Sequence, residues 1–381
     1  MSTILTAARA LTSQGIVENP ILTLEDGRIT HLSTRESSET PASAKHFPNA
    51  TITPALFDVH LHGAANHDVM EANPTALSAV ASFLATRGVG QFLPTTVTAP
   101  INATLQALSG LADIIEGPAQ PGQARPVGIH LEGPFVSHSK RGVHAAALIQ
   151  PPSVDLFDRF YEASRGHIRL MTIAPEEPGA LDVIRRAAEK GVRVSVGHSN
   201  ATLAETDAAI ALGAVSATHT FNAMRALDHR EPGVLGAVLD RDALFAELIC
   251  DGVHVAPELV RLWLKAKGPH RGILVTDGIS ATGMPEGTYI LGDFEVTVAN
   301  GRATARGVLA GSVLTLDKAI ENVRAFTGTS LATAVGLAST NPATMLGLEA
   351  PVIAEGKPAN LNLFTEDGKL LATCLGGTFL A

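Results

Sequence analysis

Fourteen histidines and 37 carboxylates lie in this chain of 381 residues, and a few of them sit where ordinary packing would not put them. His60-Leu61-His62 falls in an apolar β-like run, where the two-residue period of a strand turns both imidazoles to one side. Paired imidazoles on one face are what a metal ion needs, although one His-x-His among fourteen histidines also arises easily by chance as a structural pair. Glu132, in HLEGPF, ends another apolar run, as do His198 in VSVGHSNAT and His219 in SATHTFNAM. Any one of them could be a satisfied core residue or, for Glu132, a salt-bridge partner. Four equivalent strand ends carrying such residues point collectively to a metal centre. A His/Glu set without cysteine suits Zn²⁺, and also Fe²⁺, Co²⁺ or Mn²⁺. Such a centre lowers the pKa of water towards ~7 and so needs a base nearby. Asp277, in LVTDG, follows the last barrel-like run and could carry that proton; the plainer alternative is a turn cap.

Further residues could shape a pocket. Asn222 and Ala223 open the stretch after His219, where backbone N–H groups could hold an anion. Arg230, His254 and His144 could add positive charge, though each alone reads equally as a surface or packing residue. His130 shares a strand face with Glu132 one layer deeper, which fits a supporting or core role. His31, His46, His67, His138, His167, His229 and His270 have no comparable position, and Cys250 reads as an inert core thiol. No glycine-rich phosphate loop is present; Leu309-Ala310-Gly311-Ser312 reads instead as the start of a helix at Ser312.

The elements that must position these groups follow from one rhythm. From about residue 55, short apolar runs (LFDVHLH, GVGQFLPTTV, PVGIHLEG, IRLMTIAP, VRVSVGH, VSATHTF, LFAELICDGVHV, GILVTD) alternate with amphipathic stretches such as 73–87, 102–116, 178–190, 201–212 and 256–267. Several stretches end at glycines expected to take positive φ as helix caps (Gly88, Gly117, Gly191, Gly213, Gly268). Eight such units predict an α/β fold, a (β/α)₈ TIM-type barrel; an open doubly wound sheet is the alternative, but it would spread the polar strand ends along a line. Residues 1–52 and 350–381 carry short β-like segments, and together they predict one small β-sandwich built from both termini around a barrel of residues 53–349. A third β-like stretch, 288–305, interrupts the barrel after Asp277.

Composition narrows the partners. Aromatic residues make up 4% and the formal net charge is −9, a poor match to nucleic acid or an acidic membrane. Two cysteines exclude a disulfide framework, and the opening MSTILTAARALTSQG has neither the basic start nor the apolar core of a signal peptide. A cytoplasmic setting is the expectation.

Taken together, PALFDVHLHG, HLEGPF followed by KRGVH, VGHSNAT, THTFNAM, REPG, DGVHV, LVTDGISATG and LAGS, with GKPANLNLF near the C-terminus, resemble the N-acetylglucosamine-6-phosphate deacetylases of the amidohydrolase superfamily. The resemblance implies hydrolysis of the N-acetyl group of a sugar 6-phosphate. It implies that Glu132, His198 and His219 hold the principal metal, with His60 and His62 able to hold a second and Glu132 bridging. It further implies Asp277 as general acid/base, His144 and His254 at the sugar or carbonyl, and Asn222, Ala223 and Arg230 at the phosphate. A homodimer is expected, since part of the phosphate grip crosses a subunit interface in that family. The chain departs from the family pattern at GAANHDVME (63–71), where a glycine-rich run is usual, and at Ala55, where glycine is usual. Other amidohydrolase chemistries compete, such as a cyclic amidase or a deaminase. The fourth run ends Ile173-Ala174-Pro175-Glu176, without the lysine that cyclic amidases carboxylate. A non-catalytic sugar-phosphate-binding protein would not need Asp277.

Overall fold

The computed structural model describes residues 2–35, 40–291 and 294–380. Eight parallel strands form its centre: Leu56–Leu61, Val89–Thr96, Ile129–Glu132, Ile168–Ile173, Arg193–Val196, Ala214–Ala217, Phe245–Ile249 and Gly272–Val275. Each pairs with the next in sequence order. These runs are buried on both faces because helices cover them outside and side chains fill the barrel inside; all five residues of Phe245–Ile249 are buried. The helices start and stop where side chains dictate. Asn73 caps helix Pro74–Thr86 by accepting from Ala76 N–H at 3.0 Å, and Thr202 with Glu205 forms a reciprocal cap on helix Leu203–Ala211.

The ring closes between its first and last strands mainly at the mouth. Asp277 N–H donates to His60 C=O at 2.8 Å and His62 N–H to Gly278 C=O at 2.7 Å. Below them the Thr276 hydroxyl donates to the buried Asp58 carboxylate at 2.6 Å. Closure therefore runs through the same segments that carry His60, His62 and Asp277.

Strands from both ends of the chain form a separate eight-stranded sheet, in the order 378–380, 370–375, 361–365, 45–54, 3–12, 20–25, 28–34, with 15–18 beside 3–12. It has its own apolar cluster, including Leu5, Leu22, Ile29, Ile52, Leu361 and Leu363. The β-like stretch after Asp277 is a small antiparallel sheet (Gly287–Leu291, Phe294–Ala299, Arg302–Ala305, Val308–Leu309) that leans over the barrel mouth.

Two local expectations are corrected. Gly117 ends its helix with φ −68°, an extended conformation open to any residue, because the chain leaves towards Pro118 without reversing. Ser312 starts no helix: its hydroxyl donates to Thr276 C=O at 2.6 Å and its N–H to Asp277 C=O at 2.7 Å, and the helix begins at Leu316. Ser312 is spent on holding Asp277.

One buried cation braces the outer ring. Lys267, 4% exposed, donates to the carbonyls of Val238 and Arg241, both at 2.8 Å, and so satisfies the end of helix Gly233–Asp240. Burial pulls its amine down to about 8. Lys267→Ala strands both carbonyls and is expected to cost about 1–3 kcal/mol, read as a lower urea midpoint.

Candidate active site

Six side chains converge inside the barrel mouth as two overlapping groups, Glu132/His198/His219 and His60/His62/Asp277. Glu132 faces both. Its Oε1 lies 3.2 Å from Nε2 of His198 and 3.2 Å from Nε2 of His219, which are themselves 3.0 Å apart. Its Oε2 lies 3.0 Å from His62 Nε2 and 3.5 Å from His60 Nε2. Asp277 Oδ1 completes the second group at 3.3 Å from His62 Nε2 and 3.5 Å from His60 Nε2.

These spacings suit an ion. Ligand atoms about 2.0–2.1 Å from a tetrahedral zinc stand about 3.3 Å from one another. His60 Nε2 and Glu132 Oε1 are buried and lack any partner in hydrogen-bonding geometry, so protein groups alone leave them unsatisfied. The outer ring nitrogens explain why the inner ones converge. His62 Nδ1 meets Thr95 C=O at 3.0 Å and His198 Nδ1 meets Lys140 C=O at 2.9 Å. A carbonyl only accepts, so each Nδ1 carries a proton and each Nε2 turns towards the centre. His60 Nδ1 is held likewise by Glu247 at 3.1 Å. The donor set therefore fits a divalent metal ion.

The backbone is held in unusual shapes to achieve this. His198, His219 and Asp277 have φ of 47°, 30° and 50°, in the left-handed region that side chains other than glycine seldom occupy. Neighbours fix each turn: Ser137 N–H donates to His198 C=O, Glu247 accepts from His219 N–H, and His60 and Ser312 clamp Asp277. Gly133, next to Glu132, has φ 78°, and a Cβ there would lie 2.2 Å from Thr98 Oγ1. Thr98 cannot be displaced without cost, because its hydroxyl and N–H contact His144 Nδ1 at 2.7 and 3.4 Å. With that N–H donating to Nδ1, the His144 proton sits on Nε2, 4.0 Å from Glu132.

Burial, with the charge of His198 beside it, drives His144 down to about 3, so it is a neutral donor. Burial pushes the Asp277 carboxyl up, but His60 and His62 outweigh this and bring it to about 2, an ionised acceptor. Burial lowers His62, while hydrogen bonds to Asp277 and Glu132 more than offset it and raise it to about 9. Without an ion His62 is thus protonated at neutral pH, and an ion entering beside it must displace that proton. Ion affinity at this group is expected to fall as pH falls, with proton release on binding, because His60 and His62 are both held above the ordinary imidazole range. Zinc titration calorimetry in buffers of different ionisation enthalpy measures both.

A cavity of about 210 Å³ opens above the two groups, lined by His62, Glu132, His198, His219 and Asp277 and roofed partly by Leu291 and Leu309. His144, Asn222, Ala223 and His254 also line it. His60 lies beneath, fully buried. Arg230 is not brought in: it stands exposed on the loop before helix Gly233–Asp240. His130 is a core histidine between Thr95 and Thr172, as its deeper layer implied. The bystander histidines and Cys250 line no part of the cavity. The departing loop 63–71 keeps left-handed φ at Ala65 and Asn66, and its side chains line an adjoining cleft of about 740 Å³.

Residues 51–380 match the amidohydrolase family. The chain belongs to that family. Among similar amidohydrolases, an N-acetylgalactosamine-6-phosphate deacetylase of Escherichia coli O157:H7 is 38% identical, over 94% of this chain and 93% of the relative. An N-acetylglucosamine-6-phosphate deacetylase of Bacillus subtilis (strain 168) is 34% identical, over 96% and 94%. The crystal structure of N-acetyl-D-glucosamine-6-phosphate deacetylase from Mycobacterium smegmatis superposes with a TM-score of 0.92 at 34% identity, covering all of both chains. Among the described residues, no helix of this amidohydrolase is long and apolar enough to cross a membrane.

Groups absent from the sequence reading also serve the site. Glu247, Thr95 and Thr98 each hold a histidine. Glu176 accepts from the Ser199 hydroxyl at 2.7 Å and so braces the turn after His198. Glu247 had a signal in LFAELIC: a lone carboxylate in an apolar strand, the same signal that marks Glu132.

Proposed function

We propose that this amidohydrolase hydrolyses the N-acetyl group of N-acetylglucosamine 6-phosphate to glucosamine 6-phosphate and acetate, in the catabolism or recycling of amino sugars. The observation that carries the reading is the Glu132 carboxylate facing two histidine pairs, with ionised Asp277 at the same cavity wall. Glu132, His198 and His219 would hold one divalent ion, zinc being the first choice among Zn²⁺, Fe²⁺, Co²⁺ and Mn²⁺, and His60 and His62 with Glu132 a second. When bound, such an ion polarises an amide carbonyl and acidifies water.

The chain's own residues do the rest. Asp277 receives the proton of the attacking water at its carboxylate and passes it to the departing nitrogen, which leaves as an amine and not as an amide anion. His144, neutral, donates Nε2–H towards the carbonyl oxygen as charge builds there. His254, oriented by Asp251 at 2.7 Å, and the Asn222–Ala223 turn face the sugar phosphate. We infer that Arg230, which is exposed and outside its own chain's cavity, serves the cavity of a second copy in a homodimer. The setting we infer is cytoplasmic.

The testing experiment is acetate release from N-acetylglucosamine 6-phosphate, before and after chelation and zinc return. Activity that disappears with chelator and returns with metal supports the reading; metal-replete protein without activity rejects it. The relative at 38% identity favours one second reading, N-acetylgalactosamine 6-phosphate as the better substrate, and kcat/KM for both sugars in the same assay separates the two. Arg230→Ala is expected to raise KM for the phosphorylated sugar far more than for free N-acetylglucosamine. Equal effects on both would remove Arg230 from phosphate binding.

A further inference from the structure

Glu247 takes no part in the reaction proposed above, yet a carboxylate is costly to bury where it stands. It lies mid-strand in Phe245–Ile249 and is wholly buried. Its Oε2 has two donors, His60 Nδ1 at 3.1 Å and the backbone N–H of His219 at 3.3 Å, and its Oε1 has none. One imidazole N–H and one amide N–H are poor compensation for a desolvated carboxylate unless positive charge lies close by.

Two features give that placement a purpose. First, a carboxylate at His60 Nδ1 fixes the ring with its Nε2 lone pair turned to Glu132 and Asp277, and makes that nitrogen a stronger ligand. Among the anchored ligand histidines His60, His62 and His198, His60 has the charged Nδ1 partner; Thr95 and Lys140 offer neutral carbonyls. Second, Glu247 is one of four buried carboxylates here, with Asp58, Glu132 and Asp277. With neutral imidazoles, a single divalent ion leaves this cluster negative. A second ion brings it to neutrality.

We propose that Glu247 is a positioning residue that sets the ion count, acting through His60 to make the His60/His62/Asp277 group a metal site in its own right. The inference rests on the metal reading above. Its test counts ions without substrate, so failure of the deacetylase reading leaves it intact.

The experiment strips the full-length protein with chelator, returns zinc in graded amounts against a competing dye, and counts ions by mass spectrometry. Wild type is expected to take two ions. Glu247→Gln, which keeps shape and loses charge, is expected to keep the tighter ion and to raise the Kd of the weaker by roughly 10–100-fold. His60→Gln should lose the same ion, and adding Glu247→Gln to it should change little further. A Glu247→Gln protein that binds both ions like wild type overturns the proposal, and so does a wild type saturating at one ion or none. Equal weakening of both ions with a lower melting point of the ion-free protein also overturns it, since that marks a general structural role. If Glu247→Gln does not fold, Glu247→Asp, which keeps the charge but draws it back from His60, is expected to show the same preferential loss.

Discussion

Asp277→Asn is expected to fold, to retain the ion held by Glu132, His198 and His219, and to lose roughly 10²–10⁴-fold in kcat, the range that positioned proton transfer contributes. Folding survives for local reasons. Asparagine tolerates the left-handed φ of 50° as well as aspartate does, and the clamps from His60 C=O and Ser312 N–H use only the backbone. The amide is nearly the same size, yet it cannot take a proton from water and return it to nitrogen. Steady-state kinetics with zinc in excess, beside an ion count, separates lost proton transfer from lost metal. Wild-type turnover in this variant would remove Asp277 from the chemistry.

Glu132→Gln is expected to act on both ligand groups at once. One carboxylate oxygen faces His198 and His219, the other His62 and His60. Glutamine keeps one of those oxygens and sets an NH₂ donor where the other stood. Removing one charged partner from a buried cluster costs about 3–5 kcal/mol. Converted at 1.4 kcal/mol per decade, that is on the order of 10²–10⁴-fold in ion affinity. Acetate release should vanish at limiting zinc and recover only partly in excess. His198→Ala, by contrast, removes one ligand from one group. If Glu132→Gln retained both ions at wild-type affinity, the shared carboxylate could not be the link between the groups.

The site was legible where polarity and period agreed. His60, His62, Glu132, His198, His219 and Asp277 stand at or near the ends of largely apolar runs, and a barrel gathers strand ends at one mouth. What escaped notice was mostly backbone. No residue type announces that the carbonyls of Thr95 and Lys140 will hold His62 and His198, because every residue offers a carbonyl. Glu247 differs from the strand-end groups in lying mid-strand. Ser312 resembled a helix start because serine is a common cap, but tertiary bonds to Thr276 and Asp277 prevailed over that preference. Arg230 carries the right charge for phosphate, yet it stands exposed and outside this chain's cavity.

The terminal sheet has a consequence for biosynthesis. Strand 45–54 pairs on one side with 3–12 and on the other with 361–365, which is joined to it in register from Pro54↔Leu361 to Ala50↔Thr365. On a ribosome adding about 5–20 residues per second, the second partner emerges on the order of tens of seconds after the first. Throughout that interval the nascent polypeptide carries an open β edge while the barrel is still being translated. The segment that seals it, 361–365, follows the whole barrel in chain order.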